Sequence, residues 1–329
     1  MSEKLNTLFD SFKQIKALIV GDVMVDSYAW GKVERISPEA PVPVLHVQKK
    51  EHRLGGAANV ALNVKSLGAT PVLVAVSGQD SAGNSLCQLL EKEGIETNGI
   101  VKSNHRPTTI KHRVMSGSHH LIRVDDETDE LLNTEENTAT KETIAKLLPG
   151  CQVVIFEDYD KGVLSEDLIA YTIGLAKQHN IPTIVDPKKR NFLFYSGVTL
   201  FKPNLKELRE GLKIEIGKPT FDNLTEIANT LRDKMQVEGS LLTLSEHGMF
   251  IDHESEKHLA HAWHRNIADV SGAGDTVVSI AALCLAAKTS PLLLLQLANL
   301  GGGLVCEHPG VVPIDKDRLR EEATRLGLG

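Results

Sequence analysis

Four cysteines are all that this chain of 329 residues has, and Cys87, Cys151, Cys284 and Cys306 stand far apart with no CxxC pair among them. That argues against a disulfide-stapled fold and against a cysteine zinc site, and it fits thiols buried in a reducing compartment. Long hydrophobic runs are missing as well. The most apolar tract, Val277 to Leu300, is broken by Lys288, Thr289, Ser290 and Pro291, so it reads as two packed helices and not as a bilayer span. The opening MSEKLNTLFDSFKQ has no basic-then-apolar layout of a signal peptide. There is no excess of positive charge either. The net charge is −7, so bulk electrostatics give no grip on nucleic acid, and an anionic substrate requires a local basic patch. The expectation is a cytoplasmic protein with no membrane or nucleic-acid partner. Two nucleotide signatures are absent too: no G-x-x-x-x-G-K-[ST] occurs, and no G-x-G-x-x-G follows the first apolar run. A Walker loop is thereby excluded, and a nicotinamide oxidoreductase rests on fold class alone.

What is present is an alternation. Short apolar runs recur at Ala17–Asp26, Thr70–Gly78, Cys151–Asp160, Ile181–Lys189, Val198–Asn204 and Gly239–Gly248. Between them lie helical patterns at 56–67, 82–93, 134–148, 165–178, 204–212 and 223–235. Strand-helix alternation predicts an α/β sandwich of three layers, α/β/α, around a mainly parallel sheet. Residues 28–54 and 106–124 break the pattern, with strand-like alternation and no helical partner. The second reads as a hairpin turning at Ser116-Gly117-Ser118. Together they predict a small β-sheet standing off the main body as a lid.

In open parallel sheets, ligands bind beyond the carboxyl ends of the strands. Asp22, Asp158, Asp186, Asn204 and Thr243 fall there on this reading. In LGGAANVALNV, Gly55 and Gly56 precede a helix that carries Asn59 in its first turn; they form either a tight turn or a close approach to a ligand. In KPNLKELRE, Asn204 and Glu207 lie on one side of a helix start, as a capping box or as a site. TLSEHG, with Thr243, Ser245, Glu246 and Gly248, follows a strand and fits a plain hairpin equally well. Lys188, Lys189 and Arg190 form a basic strand end, either a solvated face or a phosphate grip. Lys111, Arg113 and Arg123 alternate along the lid strands and so share a face; they supply the local basic patch that the overall charge lacks.

The stretch DVSGAGDTVVSIAALCLAA, 269–287, opens an apolar helix with Gly272, Ala273, Gly274 and Asp275. Taken alone, Asp275 is either an N-cap or a site residue. Small residues at a helix N-terminus gather N–H groups around an anion and add the positive dipole end. A carboxylate beside such a hole is placed to accept a hydroxyl proton as a phosphoryl group is transferred.

G-G-x-x-x-N early and D-x-x-G-A-G-D late resemble the two signatures of the ribokinase-like (PfkB) carbohydrate kinases, and the match spans nearly the whole chain. The resemblance implies ATP and Mg²⁺ as cofactors. It implies Asp275 as the base, with Gly272, Ala273 and Gly274 stabilising the transferring phosphoryl group. Lys188, Asn204, Leu205, Lys206, Glu207, Thr243, Ser245, Glu246, Gly248, Asn299 and Gly303 would border ATP, with Glu207 reaching the metal through water. Asp22, Gly55, Gly56 and Asn59 would hold the sugar, with Asp158 beside them. The stand-off sheet would be the family's lid, often a homodimer contact. GDVMVDSYAWGKVERISPEAPVPVLHV, LIRVDDE and DPKKRNF look like the branch that phosphorylates D-glycero-D-manno-heptose 7-phosphate at the anomeric position, a step toward nucleotide-activated heptose and lipopolysaccharide. For such a substrate, the charge argument assigns the 7-phosphate to Lys111 and Arg113. Residues 1–329 would form a single kinase domain, with no H-x-G-H motif and so no nucleotidyltransferase domain. A ribokinase- or fructokinase-like enzyme and a catalytically silent sugar sensor are the alternatives.

Overall fold

The computed structural model describes residues 2–117 and 119–328. In chain order the strands are β1 (Lys16–Gly21), β2 (Val23–Ile36), β3 (Pro43–Gly56), β4 (Thr70–Gly78), β5 (Ile100–Ser103), β6 (Thr109–Ser116), β7 (His119–Asp126), β8 (Val153–Glu157), β9 (Thr183–Asp186), β10 (Leu200–Phe201), β11 (Gly239–Thr243), β12 (Met249–His253) and β13 (Glu256–Ala260). The helices are α1 (Ser2–Ser11), α2 (Ala57–Ser66), α3 (Ser81–Lys92), α4 (Thr134–Leu147), α5 (Glu166–Gln178), α6 (Leu205–Leu212), α7 (Phe221–Met235), α8 (Ala273–Ala286), α9 (Pro291–Val305) and α10 (Lys316–Arg325).

Nine strands form the main sheet in the order β13-β12-β11-β10-β9-β8-β1-β4-β5. It is parallel except at one edge, where β12 runs antiparallel to both its neighbours, β11 and β13. The apolar runs are continuous, not alternating, because both faces are covered. Along β1, Ala17 and Ile19 pack into a core with α2, α8 and α9, whereas Leu18 and Val20 pack into a second core with α5, α6 and α7. Two cores on the two faces of one sheet make the three-layer sandwich. No helix of the described residues is long and apolar enough to cross a membrane.

The small sheet has the order β3-β2-β6-β7. It begins earlier than residue 28. The run Ala17–Asp26 is not one strand; it splits at Asp22, and β2 leaves the main sheet at Val23 to pair with β3 from Val23↔Gly56 to Ile36↔Pro43. Gly55 and Gly56 therefore close the base of this hairpin, and a side chain on Gly56 would strike the Asp22 carbonyl. Ser118, expected in the β6–β7 turn, lies outside the described residues. Three strands had no counterpart in the apolar pattern: β5 is four residues long, and β12 and β13 lie beyond the Gly248 turn. All four cysteines are free. Cys151, Cys284 and Cys306 are buried, but Cys87 is only half-buried, because it lies off the face of α3 that buries Gly83, Leu86 and Leu90.

Candidate active site

The carboxyl ends of the parallel strands meet on one rim. Gly21, Glu157 and Asp186 are register partners across β1, β8 and β9, and Asn204, just beyond β10, bridges to Thr243 at the end of β11. Helix α8 starts at this rim. Its cap is Gly272, not Asp275: Gly272 has φ 79°, a left-handed conformation that suits glycine. Asp275 sits in the first turn, where backbone N–H groups lack intrahelical acceptors. Gly274 carries no side chain over the Asp186–Lys202 ion pair, whose atoms lie 2.8 Å apart and are almost wholly buried.

Asp275 is held on both oxygens. Asn59 Nδ2 donates to Oδ2 at 2.6 Å, and the Tyr159 hydroxyl donates to Oδ1 at 2.9 Å. Burial raises its pKa, the two hydrogen bonds oppose that rise, and the charge on Asp186 adds to it. Glu157 is fully buried, and its carboxyl is pushed well up by burial and by the charges on Asp186 and Asp275. Tyr159, Lys202 and Glu157 were not among the residues expected from the sequence. Tyr159 does follow a polar strand end, and Lys202 precedes the Pro203-Asn204 turn, so position was the available signal.

Asn204 caps α6 and Glu207 returns the bond: Glu207 N donates to Asn204 Oδ1 at 2.9 Å and Asn204 N to Glu207 Oε2 at 2.8 Å. The capping box is therefore real, and it also aims the carboxylate. Glu207 Oε1 accepts from Lys188 Nζ at 2.8 Å. Burial works against the Lys188 charge, but Asp186 and Glu207 outweigh it and hold its pKa above the ordinary value.

These groups line a cleft of about 1250 Å³. Every residue expected to border ATP lies on its wall: Lys188, Asn204, Leu205, Lys206, Glu207, Thr243, Ser245, Glu246, Gly248, Asn299 and Gly303, as do Gly272 to Asp275. In the segment leading into α8 the wall has apolar side chains, with Trp263, Ile267 and Val270 on it and exposed. A flat aromatic ligand fits such a wall. These three carry no periodic signal in the chain, because they lie in an irregular segment.

Asp22 stands between β1 and β2, where the chain leaves the main sheet for the small one. Asp22 is buried and accepts from the backbone N–H groups of Tyr159, Lys161 and Val163 at 2.9, 3.1 and 3.1 Å. Burial and neighbouring Asp158 push its carboxyl up to about 6 against those three donors. Asp158 is fully buried. Its oxygens are taken by Asn191, Tyr195 and its own turn at Asp160, at 3.0, 2.7 and 2.8 Å, so it braces the rim from within. Lys111, Arg113 and Arg123 share one sheet face, as the alternation required, but each already has an acid. Lys111 bonds Asp125 and Glu127 at 3.0 and 2.9 Å, Arg113 pairs with Asp26, and exposed Arg123 bonds Asp125. Among the described residues, no three acidic, histidine or cysteine side chains are arranged to hold a metal.

The profile of the family described as pfkB family carbohydrate kinase matches residues 14–317. A D-beta-D-heptose 7-phosphate kinase of Bordetella bronchiseptica is 39% identical over 312 residues, covering 94% of this chain and 96% of that one. A bifunctional protein HldE of Magnetococcus marinus is 39% identical over 320 residues, or 96% of this chain; the match spans 65% of that protein's length. Among solved structures, phosphofructokinase-2 of Escherichia coli in complex with potassium superposes with a TM-score of 0.79 at 18% identity, covering 95% of this chain and 99% of that one. Arabidopsis thaliana ribokinase complexed with ribose and ATP superposes with a TM-score of 0.71 at 16% identity, covering 93% and 99%. At those identities the superpositions establish the fold.

Proposed function

The chain belongs to the pfkB family of carbohydrate kinases, which transfer phosphate from ATP with Mg²⁺, and from that premise we propose that it phosphorylates a heptose 7-phosphate at the anomeric hydroxyl to give the 1,7-bisphosphate. The observation that carries the proposal is the buried Asp275, held between Asn59 and Tyr159 on the wall of the cleft. The identity to the Bordetella kinase over nearly its full length supports the sugar class.

On this reading the sugar hydroxyl lies against Asp275 with its oxygen facing the γ-phosphorus. As the new O–P bond forms and the bond to ADP breaks, the hydroxyl proton passes to the Asp275 carboxylate. The N–H groups of Gly274 and Asp275, with the dipole of α8, meet the charge on the transferring oxygens. Lys188 and Lys206 serve the phosphates, and Trp263, Ile267 and Val270 receive the base near Asn299 and Gly303. Mg²⁺ keeps most of its waters and needs only one or two carboxylates plus phosphates. Glu207 and Asp186 at the phosphate end fit that demand without a three-ligand cluster, and the ion would neutralise phosphate charge there. Asp22, Gly55, Gly56 and Asn59 frame the sugar, and Lys111 and Arg113 take the 7-phosphate by exchanging an intramolecular acid for the substrate. The small sheet acts as lid. Its exposed Ile36, Val47, Leu121, Ile122 and Val124 support a homodimer through this sheet.

The test is coupled ADP release with heptose 7-phosphate beside fructose 6-phosphate, ribose and fructose. Preference for heptose 7-phosphate is expected. Faster turnover of ribose or fructose replaces the proposal with a ribokinase- or fructokinase-like activity, and sugar binding without ATP turnover replaces it with a sensor.

A further inference from the structure

Arg53 connects two parts of the molecule that the chain keeps more than 250 residues apart. It lies on β3, on the sheet face that also carries Asp26 and Tyr28. Its Nη1 donates to the carbonyl of Val311 at 3.0 Å and to that of Pro309 at 3.4 Å. Its Nε donates to Glu51 at 2.7 Å. The guanidinium carbon lies 5.0 Å from the centre of the Tyr28 ring, and that of Arg113 lies 5.3 Å from the same ring. A planar fork that reaches two carbonyls while stacking on a ring suits arginine and not lysine.

The 309–311 turn is in turn fastened to the start of α8. Gly310 N donates to Asp269 Oδ2 at 2.9 Å, and Ser271 N donates to Asp269 Oδ1 at 2.9 Å. Val311 Cγ1 stands 3.2 Å from where a side chain on Gly272 would begin. The left-handed cap of α8 is thus walled by the residue whose carbonyl Arg53 holds. The small sheet is thus linked to Gly272 through Arg53 and Val311, and to the Ser271 amide through Gly310 and Asp269.

We propose that Arg53 is a positioning residue that ties the small sheet to the Gly272–Gly274 turn, so that the sheet's seating sets the phosphoryl-transfer geometry in front of Asp275. The proposal rests on the reading of that turn as the phosphoryl site. Arg53 contributes to the rate and not to the grip on either substrate, because Nη1 is engaged by the carbonyls of Pro309 and Val311 and Nε by the Glu51 carboxylate.

The experiment compares wild type, Arg53→Met, Arg53→Gln and Asp275→Asn as full chains. Turnover is followed by ADP release with ATP and whichever sugar or sugar phosphate the wild type uses fastest, and thermal melting is recorded alongside. Arg53→Met is expected to lower kcat by about tenfold or more, ~1.4 kcal/mol of barrier, with KM for ATP and sugar within about threefold. If Arg53→Met fails to fold, Arg53→Gln, which keeps the stem and two donors but loses the fork and the charge, is read the same way. Unchanged kinetics, or a raised sugar KM at full kcat, overturns the proposal; the second outcome makes Arg53 a substrate ligand. Full activity in Asp275→Asn instead overturns the reading of the site, whatever Arg53 does.

Discussion

Asn59 Nδ2 donates to Asp275 Oδ2 at 2.6 Å, across 216 residues of chain. Asn59 is on the first turn of α2 and Asp275 on the first turn of α8, so two helix starts share one hydrogen bond. Both residues are buried, and the bond fixes the carboxylate while leaving lone pairs on each oxygen. With Tyr159 on the other oxygen, the carboxylate has one orientation available.

Replacing Asp275 with Asn keeps the shape and removes the proton acceptor. Turnover should fall by about 10²–10⁴-fold, the usual worth of a general base. The KM for ATP should change little, since the nucleotide wall is untouched. Steady-state ADP release measures both, and near-wild-type turnover would remove Asp275 from the mechanism.

Burial raises the Asp275 pKa, and the base works only when ionised. The kcat profile should therefore lose activity as pH falls through a value above that of an ordinary aspartate. Asn59→Asp substitutes a second carboxylate for a donor, which disfavours ionisation further. Its acid limb should move to higher pH. A limb that stays in place in Asn59→Asp would show that another group controls it.

Lys111→Ala with Arg113→Ala should raise the KM for the phosphosugar by about 10–100-fold, the worth of one or two charged hydrogen bonds. The KM for ATP should hold. The pairing of Arg113 with buried Asp26 adds a second effect, because that variant leaves an acid unpartnered. Melting curves separate the two, and an unchanged sugar KM in a folded double variant refutes the phosphate assignment.

Lys202 and Asp186 form a buried pair 2.8 Å apart under Gly274. Removing only the cation in Lys202→Met should destabilise the protein by about 3–5 kcal/mol, because it strands a buried charge. Lys202→Met with Asp186→Leu should recover much of that loss while still impairing turnover. Chemical denaturation reads the first effect; equal stability in the single variant would mean that water already screens the pair.

The main sheet was readable in the sequence because burial on both faces leaves short, mostly apolar runs. The runs at 153–157 and 239–243 needed no partner to be recognised. β5 left too weak a trace: it is four residues long, with one fully buried position. The site divides along the same line. Gly272 to Asp275, Gly55 to Asn59 and Asn204 to Glu207 are local spacings at helix starts, so the chain displays them directly. Two of these spacings serve twice: the capping box of α6 also aims Glu207, and the cap of α8 also makes the anion site.

The sequence by itself determined the layering, the helix starts and the residue types gathered at them, because caps, turns and buried strands are decided within a few residues. Only the tertiary structure decided the partners. Tyr159 on Asp275, Lys202 under Gly274 and Arg53 on the 309–311 turn join segments whose separation in the chain carries no periodicity. It also decided that the cations of the small sheet arrive already paired with acids, since only folding brings Asp26 of β2 beside Arg113 of β6 and Asp125 of β7 beside Lys111.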